Sequence, residues 1–396
     1  MKKVLIWDKD LELKDVGGPS GYLYNLKLYL DKYPNKQITF YSDIFSKKTE
    51  SSSKPKGKGI ISRVKSTPIG KVITYLGWFY YQQPPLTEQD LDILNRYDFV
   101  HIHMLSTYLR SFRDYSGHAK VIITSHMPEP CIDETMGLCG YPNLLKKIPF
   151  LRDFFIRKEI AAYEHAYRIM FPVEDAIEVY TKNSKLYKKA FQRLRDKIFY
   201  VPTAIVDKEI SSQKSSILSS KNIPENNLRL CFIGRHNQVK GYDMLKIIAQ
   251  ECWKKYPDTT FIIGGKEAPL MGLSDKRWLE LGWINTQELL KEIDVFVLPN
   301  KDTYFDLILL EVLRQGVPCM ISRTGGNKYF ENAGIDGIRL YDYIDVNDAV
   351  KQIEIFREYK ASGKLELIKQ EIRSFYLENF IPEVYVKNYI NQIDSL

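Results

Sequence analysis

The segment FIGRHNQVKGYDML, residues 232–245, combines two basic side chains with the end of a predicted strand. The apolar run before it predicts a buried strand that ends at Gly234, so Arg235 follows the carboxyl end of that strand. Lys240 comes five residues later, at the start of a predicted helix. A guanidinium and an ammonium beside a helix N-terminus suit a diphosphate, because all three groups attract anions. The alternative is a solvated strand–helix loop, in which Arg and Lys are common.

A second segment, LPNKDTYFDLILLEVLRQGVPCM at residues 298–320, predicts another strand–loop–helix unit. Its strand ends at Pro299, and its helix begins near Asp306 or Leu307 and stops at Gly316, which suits the position just after a helix. The first backbone N–H groups of a helix have no intrahelical acceptor, so those near Leu307 and Ile308 form a second candidate anion site.

Glu311 lies about one turn into this otherwise apolar helix. Its carboxylate has the oxygens to accept two hydrogen bonds from the hydroxyl groups of a ribose. The alternative interpretation is a partly exposed helix glutamate with no ligand.

The first half of the chain carries weaker signals. Gly17 and Gly18 belong to a glycine loop that precedes a predicted helix, where backbone N–H groups can approach a phosphate. A dehydrogenase fingerprint is disfavoured, because about nine residues separate the first strand from these glycines and the GxGxxG order is absent. His126 follows the predicted strand VIIT, and His103 ends the strand before it; a buried histidine with satisfied hydrogen bonds is the alternative for His126.

No metal site is predicted. His101 and His103 share one face of a strand without a third ligand nearby. The acidic pair Asp8 and Asp10 comes directly after the first strand, and we interpret it as part of a loop.

Two runs of alternating strands and helices predict the fold class. The strand segments are continuous apolar runs, which is typical of parallel sheets covered on both faces. The Ser- and Lys-rich stretch at residues 211–227 lies just before the second run. We therefore predict an α/β protein of two doubly wound, Rossmann-like domains, spanning 1–205 and 206–376, with the ligand beyond the carboxyl ends of the strands in a cleft between the domains.

Composition and charge narrow the function classes. With 396 residues, of which 44% are hydrophobic, the chain has enough apolar material for packed domains, which excludes disorder as its main state. No apolar run approaches the roughly 20 residues of a membrane span, and the N-terminus lacks a secretory pattern, so we expect a cytoplasmic protein. The five cysteines are scattered and are expected in the core.

The positive charge is concentrated in the first half. Residues 1–210 carry 33 Lys and Arg against 24 Asp and Glu, whereas residues 211–396 carry 24 against 25. The basic half is expected to meet an anionic surface or substrate. Nucleic acid is not the expected partner, because no matching fold or stacking motif is present.

The pattern GRxxxxKG, followed some 70 residues later by FDxxLLEVLxxGxPC, resembles the retaining GT-B glycosyltransferases of family four. The resemblance implies that Arg235 and Lys240 hold the diphosphate of a nucleotide-sugar donor and that Glu311 holds its ribose. Arg235, Lys240 and the N–H groups near Leu307 and Ile308 would then stabilise the leaving diphosphate.

Other segments extend the resemblance over nearly the whole chain. GGPSGYLYNL is similar to the N-terminal glycine loop of the family, and TSHMPEP is similar to its Thr-x-His segment, which implies that His126 contacts the transferred sugar. YVPTAIVD resembles the interdomain strand, and the stretch that contains Trp283 resembles the part that contacts the nucleoside base. The resemblance also implies that the C-terminal helix, about residues 377–396, packs back on the first domain.

One position departs from the family. The first Glu of its E-x7-E motif, which touches donor-sugar hydroxyls, corresponds to Thr303 here. Asp302 and Asp306 are candidates to replace it, although neither is in register, and we expect Thr303 and Asp306 in the donor site. Gly325 and Gly326 fall in a loop where the family often carries a glycine contact to the donor, so they are candidates for close backbone approach.

The basic, aromatic-rich segment 141–163 includes Lys146, Lys147 and Arg152 and is typical of helices that lie in a membrane interface. Together with the Lys-rich loop at 54–71 it favours an anionic cytoplasmic membrane surface as a partner. The alternative is an ordinary domain helix with a solvated basic face.

The sequence therefore predicts a retaining, metal-independent glycosyltransferase without a cofactor. Its expected donor is a nucleoside-diphosphate sugar, with a UDP-sugar favoured, and its expected acceptor is a glycan, lipid-linked glycan or glycoprotein in surface polysaccharide or glycoconjugate synthesis. Because Thr303 replaces a donor-contacting Glu, the alternative is a catalytically degenerate GT-B protein that binds a glycan or a partner.

Overall fold

The structure is a computed structural model of the 396-residue chain. It describes residues 1–9, 11–15, 17–44, 70, 72–74, 76–77, 86–141, 144–208, 217–266 and 268–396. Asp10 and almost all of the Lys-rich loop at 54–71 lie outside the described residues.

The chain forms two compact units. Unit 1 consists of Met1–Phe171, Val179–Val201 and Val386–Leu396, and unit 2 consists of Pro172–Glu178 and Pro202–Tyr385. Each unit contains a parallel six-stranded sheet with helices, which confirms the predicted α/β fold class.

The sheet of unit 1 has the strand order β2-β1-β3-β4-β5-β6, and all its strands are parallel. The strands are β1 (Val4–Trp7), β2 (Ile38–Phe40), β3 (Phe99–Ile102), β4 (Lys120–Ile123), β5 (Arg168–Phe171) and β6 (Ile198–Tyr200). The chain reverses direction across the sheet between β1 and β3. Ligands of open parallel sheets bind beyond the carboxyl ends of the strands at such a switch point.

The sheet of unit 2 has the order β12-β11-β10-β7-β8-β9 and is also fully parallel. The strands are β7 (Leu228–Ile233), β8 (Thr259–Gly264), β9 (Trp278–Gly282), β10 (Val295–Leu298), β11 (Cys319–Ser322) and β12 (Ile338–Tyr341). Its switch point lies between β7 and β10, the two strands that precede the predicted anion-binding loops.

The described helices surround these sheets. The first eight are α1 (Gly18–Lys32), α2 (Tyr41–Ile44), α3 (Glu88–Leu94), α4 (Leu105–Thr107), α5 (Cys131–Leu138), α6 (Pro149–His165), α7 (Glu178–Thr181) and α8 (Lys185–Arg193). The remaining six are α9 (Tyr242–Lys255), α10 (Thr286–Leu290), α11 (Leu307–Arg314), α12 (Val346–Ala361), α13 (Leu365–Asn379) and α14 (Pro382–Ser395). Short 3₁₀ turns and one π-helical turn connect some of them.

Packing of α9 on the sheet fixes the start of that helix beside the end of β7. The helix buries Tyr242, Leu245, Ile248 and Cys252 at helical spacing in the core of unit 2. Burial of each large apolar side chain stabilises the fold by roughly 1.5–3 kcal/mol, so the position of the loop before α9 is firmly held.

The pattern QITFYSD, residues 37–43, predicts a second strand; this strand is present but covers only Ile38–Phe40, because Tyr41–Ile44 forms a helix. One local prediction was wrong. The predicted interdomain strand YVPTAIVD contributes only Tyr200 to β6, and the residues after it are irregular. There the backbone bonds to the C-terminal region instead, since Ile205 N donates to Phe380 O and the Tyr376 hydroxyl donates to Ile205 O.

All five cysteines are buried free thiols, as the sequence predicts. In the described part of the chain, no helix is both long enough and apolar enough to cross a bilayer.

Candidate functional site

The loop between β7 and α9 carries the two predicted diphosphate ligands. Arg235 follows β7 and is exposed, and Lys240 precedes α9 and is half-buried. Between Lys240 and the helix, Gly241 has φ +65°, and a Cβ at this position would lie 1.5 Å from the carbonyl oxygen of Pro299. Only glycine fits there, because the backbone after β10 comes so close. This contact fixes Lys240 beside the β10 loop.

An ion pair joins the loops that follow β7 and β10. Lys240 Nζ lies 2.8 Å from both carboxylate oxygens of Asp306, and the side-chain amide of Asn300 also donates to Asp306. The backbone adds a further bond, from Lys301 N to Val239 O at 3.0 Å. The structure therefore brings Lys240 and Asp306 together at the switch point of the sheet. Sequence reasoning missed this pairing, because no local signal connects residues 66 positions apart.

Helix α11 begins at this ion pair. Asp306 is its N-cap residue, yet its side chain makes no capping bond and turns to Lys240 instead. Leu307 and Ile308 form the first turn and are half-buried, and Glu311 lies half-buried one turn further on. The helix ends as predicted, with Gly316 at φ +70° directly after the C-cap.

Thr303, at the position of the missing motif Glu, is only 1% exposed. Its hydroxyl oxygen is buried and has no hydrogen-bond partner among the described residues. The close backbone approach predicted for Gly325 and Gly326 is to the segment that contains Thr303. A Cβ at Gly325 or Gly326 would lie about 2 Å from the carbonyl oxygens of Thr303 and Tyr304 respectively. The two glycines therefore let two backbone segments of unit 2 pack together.

Trp283 follows Gly282 at the end of β9 and is 85% exposed. β9 is two strands away from β7, which is about 10 Å across the sheet. The indole ring of Trp283 is open to solvent.

In unit 1, Gly17 and Gly18 are exposed at the start of α1, with Gly17 as N-cap and Gly18 at φ +76°. The loop before them is folded by Ser20, whose hydroxyl donates to Glu12 O at 2.5 Å and accepts from Lys14 N at 3.1 Å. Among the described residues, Gly17 and Gly18 make no contact that indicates a bound ligand.

The carboxyl ends of β3 and β4 bring His101, His103 and His126 together. His103 Nδ1 lies 3.1 Å from His126 Nε2, and the rings of His101 and His103 are 4.0 Å apart. The Tyr22 ring from α1 packs 4.6 Å from His126. Burial lowers the pKa of all three histidines, because the charged imidazolium loses its hydration. The charges of neighbouring histidines lower the pKa of His101 and His103 further. This region is neutral near pH 7.

The predicted membrane residues fall into two kinds. Lys146 and Lys147 are exposed in a 3₁₀ turn before α6. Arg152 instead forms an ion pair with the buried Asp133, with three hydrogen bonds of 2.6–3.2 Å. Its side chain is 11% exposed, so it holds α5 and α6 together.

Within the described residues, no group of three or more His, Cys, Asp or Glu side chains is arranged to hold a metal ion. Asp8, from the acidic pair after β1, is buried and accepts a hydrogen bond from Ser42 N at 2.9 Å. Asp8 therefore has a role in the local fold.

Part of unit 2 is similar to a known family of proteins. Residues 227–356 match the family model described as glycosyl transferases group 1. The matched segment contains Arg235, Lys240, Thr303, Asp306 and Glu311, whereas the histidines and Lys146 and Lys147 of unit 1 lie outside it.

Two curated relatives cover part of the chain. One is the *Escherichia coli* UDP-Gal:alpha-D-GlcNAc-diphosphoundecaprenol alpha-1,3-galactosyltransferase, 27% identical over 150 residues, which are 35% of this chain and 36% of that enzyme. The other is an uncharacterized 41.2 kDa protein in the cps region of *Klebsiella pneumoniae*, 24% identical over 50% of this chain and 54% of that protein. This chain thus spans about a third to a half of the length of these relatives.

Solved structures are similar to the chain over its whole length. They include *Anabaena* HepE in complex with UDP and glucose, with a TM-score of 0.56, and sucrose-phosphate synthase from *Thermosynechococcus elongatus*, with a TM-score of 0.60. Each is 12% identical, and each comparison covers 100% of both chains. At this identity the likeness concerns the fold, which is GT-B.

Proposed function

We propose that this GT-B protein, whose second unit matches glycosyl transferases group 1, is a glycosyltransferase that uses a nucleoside-diphosphate sugar. The observation that carries the proposal is the arrangement at the switch point of the unit 2 sheet. There an exposed Arg235, Lys240 and the N-terminus of α11 lie within the matched segment. These are the groups that a diphosphate needs, since a guanidinium, an ammonium and free N–H groups all stabilise phosphate charge.

In the mechanism, unit 2 binds the donor. Arg235 and Lys240 bind the diphosphate, the N–H groups of Leu307 and Ile308 add hydrogen bonds, and Glu311 accepts bonds from the ribose. As the bond between the sugar and the diphosphate breaks, negative charge grows on the leaving group. Positioned donors of this kind commonly contribute several kcal/mol to a transition state.

We further propose that the donor nucleotide is UDP. The sugar is transferred, with retention of its anomeric configuration, to a glycan, lipid-linked glycan or glycoprotein. The names of two similar proteins support the first part, since one relative is a UDP-Gal-dependent transferase and one similar structure holds UDP. The cps-region relative supports a role in surface polysaccharide synthesis.

The proposal includes no metal ion, because the cationic side chains and helix N–H groups supply the positive charge. We therefore expect EDTA to leave the activity unchanged.

The test is calorimetric titration of UDP, GDP, ADP and dTDP into the wild type and Arg235→Ala/Lys240→Ala. We expect micromolar affinity, about −8 kcal/mol, for one nucleotide, and its loss in the double variant. A matched control is Lys254→Ala/Lys255→Ala, which removes two exposed cations from the opposite end of α9. Binding that survives in Arg235→Ala/Lys240→Ala contradicts the proposed donor site.

A catalytically degenerate GT-B protein is the second candidate. The observation in its favour is Thr303, which replaces a donor-contacting Glu and whose buried hydroxyl is closed to solvent. Such a protein would bind a nucleotide or glycan without transferring sugar. Turnover of any nucleotide sugar excludes it.

We also propose peripheral binding to an anionic membrane through the start of α6, in the cytoplasm. Leu144, Phe150 and Phe154 are 41%, 78% and 48% exposed, and the exposed Lys146 and Lys147 lie between them in sequence. Apolar side chains that enter the interface and cations that meet anionic headgroups reinforce each other. This surface would bring the enzyme to a lipid-linked acceptor.

Co-sedimentation with vesicles that contain anionic lipid tests this surface. Lys146→Glu/Lys147→Glu should abolish binding at low salt, whereas Lys188→Glu/Lys189→Glu, an equal charge change at exposed positions of α8, should not. Arg152 is left unchanged, because its loss would leave Asp133 buried without its partner. Equal binding by wild type and Lys146→Glu/Lys147→Glu refutes the membrane proposal.

A further inference from the structure

Most of the excess positive charge in the first half of the chain lies in one short segment. Residues 182–197 carry seven Lys and Arg against one Asp, an excess of six, whereas the whole of residues 1–210 has an excess of nine. The segment contains α8 and the 3₁₀ turn that follows it. Such a local excess of one charge raises the concentration of oppositely charged ligands at a surface. The nucleotide-sugar site proposed in unit 2 makes no use of this charge.

Helix α8 is anchored in unit 1 by its apolar face. Tyr187, Ala190 and Phe191 are at most 5% exposed, and the rings of Tyr187 and Phe191 stack with their centroids 5.6 Å apart. The N-cap residue Ser184 accepts a hydrogen bond from Tyr187 N at 3.3 Å. Because one face of the helix is held in this way, the residues on the opposite face have a fixed place on the surface of unit 1.

The opposite face of α8 carries three lysines, which we call the lysine row. Lys185, Lys188 and Lys189 stand at positions i, i+3 and i+4, which lie on one side of a helix. All three are exposed, and none of them forms an ion pair with another described residue. Arg193 differs, since its guanidinium lies 2.6 Å from the carboxylate of Glu164. The charge of the lysine row is therefore not neutralised within the described part of the chain.

The lysine row begins near the end of the sheet where a ligand of unit 1 is expected. Helix α8 leads through the 3₁₀ turn Arg195–Lys197 into β6, so it runs antiparallel to that strand, with Lys185 towards the carboxyl ends of the sheet. Ligands of open parallel sheets bind beyond these ends. The nine residues of α8 span about 14 Å. A chain-like ligand on the lysine row can therefore continue to the ligand-binding end of the sheet.

The side chains around the lysine row favour one class of polyanion. Every exposed residue of α8 is polar or charged: Lys185, Lys188, Lys189, Gln192 and Arg193. The surface thus lacks the apolar side chains that enter a membrane, which the start of α6 has in Phe150 and Phe154. Its aromatic residues, Tyr187 and Phe191, are buried, so they cannot stack on the bases of a single-stranded nucleic acid. A glycan with repeated carboxylates needs neither contact, since lysine ammonium groups bind such charges as mobile point charges.

We propose that the lysine row of α8 binds a linear acidic glycan, which is the acceptor of the transferase. This rests on the proposed function, because it names the acceptor class for the same reaction. Carboxylates along the glycan pair with the three lysines, and the end of the glycan that receives the sugar extends towards the carboxyl ends of the unit 1 sheet. The affinity falls as salt rises, because exposed charges are screened.

Calorimetric titration of an oligomer of galacturonic acid, which has one carboxylate on each sugar, tests the lysine row. The full chain is used at low salt and without nucleotide, as wild type and as Lys188→Glu/Lys189→Glu. We expect the variant to bind at least about tenfold more weakly, because two attractions become repulsions. Lys188→Arg/Lys189→Arg keeps both charges and should bind as the wild type does. Equal affinity of the wild type and Lys188→Glu/Lys189→Glu overturns the proposal.

Lys146→Glu/Lys147→Glu is the matched control, since it makes the same change of charge at other exposed positions of unit 1. It should keep the binding of the acidic glycan, and an unchanged melting temperature shows that both variants are folded. Equal loss of glycan binding in Lys146→Glu/Lys147→Glu and Lys188→Glu/Lys189→Glu would mean that the net charge of unit 1 attracts the glycan. That result also overturns the assignment to the lysine row.

Two further ligands test the class of partner. A neutral maltose oligomer of the same length should not bind, because it has no charge for the lysines. A single-stranded DNA with the same number of charges should bind more weakly than the acidic glycan, because α8 exposes no ring that stacks on its bases. Binding of the maltose oligomer as tight as that of the acidic glycan, or tighter binding of the DNA, overturns the choice of an acidic glycan.

Turnover distinguishes this proposal from the proposed function. With an acidic acceptor we expect Lys188→Glu/Lys189→Glu to raise KM for the acceptor about tenfold and to leave kcat unchanged. If the acidic glycan binds at the lysine row and no nucleotide sugar is turned over, the glycan-binding surface stands and the proposed function fails. If sugar is transferred to neutral glycans and no acidic glycan binds, the proposed function stands and the lysine-row proposal fails.

Discussion

The carboxyl ends of the two sheets use opposite chemistry. In unit 2 the groups are charged and partly open to solvent: Arg235 is exposed, and Lys240 and Asp306 form an ion pair. In unit 1 the groups are His101 and His103, which are buried and kept neutral by burial, beside the half-buried His126. Ligand binding in unit 2 should therefore respond to charge and salt, whereas unit 1 should respond to hydrogen-bond geometry and acid.

The largest expected effect comes from Gly241→Ala. The new Cβ would overlap the carbonyl oxygen of Pro299, in a left-handed conformation that disfavours side chains. We expect the free energy of unfolding of unit 2 to fall by about 3 kcal/mol or more, measured by hydrogen exchange of amides in β7 and β10.

Gly363→Ala is its matched control. Gly363 has φ +74° but no atom within 4 Å of a built Cβ, so only the conformational cost of about 1 kcal/mol applies. Equal losses in the two variants would mean that the contact with Pro299 does not hold the loop that carries Lys240.

The next effect is acid sensitivity of unit 1. The pKa of His101 is lowered to about 3, mainly by burial and further by the charge of His126. Below pH 6.5 the unfolded chain binds a proton at His101 that the native state does not bind. The free energy of unfolding therefore falls as pH falls from about 6.5 towards 3. For His101 alone, the loss between pH 7 and pH 5 is about 2 kcal/mol.

Hydrogen exchange of amides in β3 and β4 at these two pH values checks this prediction. The loss should be smaller by about that amount in His101→Asn. An identical pH dependence in wild type and His101→Asn would show that His101 is protonated in the native state.

A smaller effect, opposite in sign, is expected for Asp306→Asn. The variant releases Lys240 from its carboxylate partner and removes a negative charge near the proposed diphosphate site. We expect UDP to bind about tenfold more tightly in calorimetry, which is about 1.4 kcal/mol. Asp275→Asn, which breaks a different ion pair of unit 2, should leave the affinity unchanged. Weaker binding in Asp306→Asn would mean that Asp306 positions Lys240 for the phosphate.

The smallest effect is expected for Thr303→Val. The buried hydroxyl has no partner among the described residues, so an apolar replacement of the same shape should change the free energy of unfolding by less than about 1 kcal/mol. UDP affinity should stay within twofold of the wild type. A large loss of affinity would show that the Thr303 hydroxyl contacts the ligand.

Local sequence patterns predicted what depends on local structure. The strand end at Gly234, the helix after Asp306 and its stop at Gly316 follow from apolar runs, helix starts and a glycine just after the helix. The helix start and stop match the structure, and the strand ends one residue earlier, at Ile233. The spacing of Arg235 and Lys240 also placed both residues in the loop between β7 and α9.

Contacts between distant parts of the chain could not be predicted in this way. The ion pair of Lys240 with Asp306 and the bond from Tyr389 to His101 join residues 66 and 288 positions apart. One signal was available: the glycine after Lys240 could have indicated a close backbone approach, which the structure identifies as Pro299.

Turnover of a nucleotide sugar shows whether this chain is a glycosyltransferase. Nucleotide release from a panel of UDP-sugars, with the anomeric configuration of any product read by NMR, should be measured for wild type and Arg235→Ala/Lys240→Ala. We expect UDP release from one sugar donor, retention of configuration in the product, and loss of turnover in the double variant. Tight UDP binding without turnover of any nucleotide sugar would contradict the claim that this chain is a glycosyltransferase.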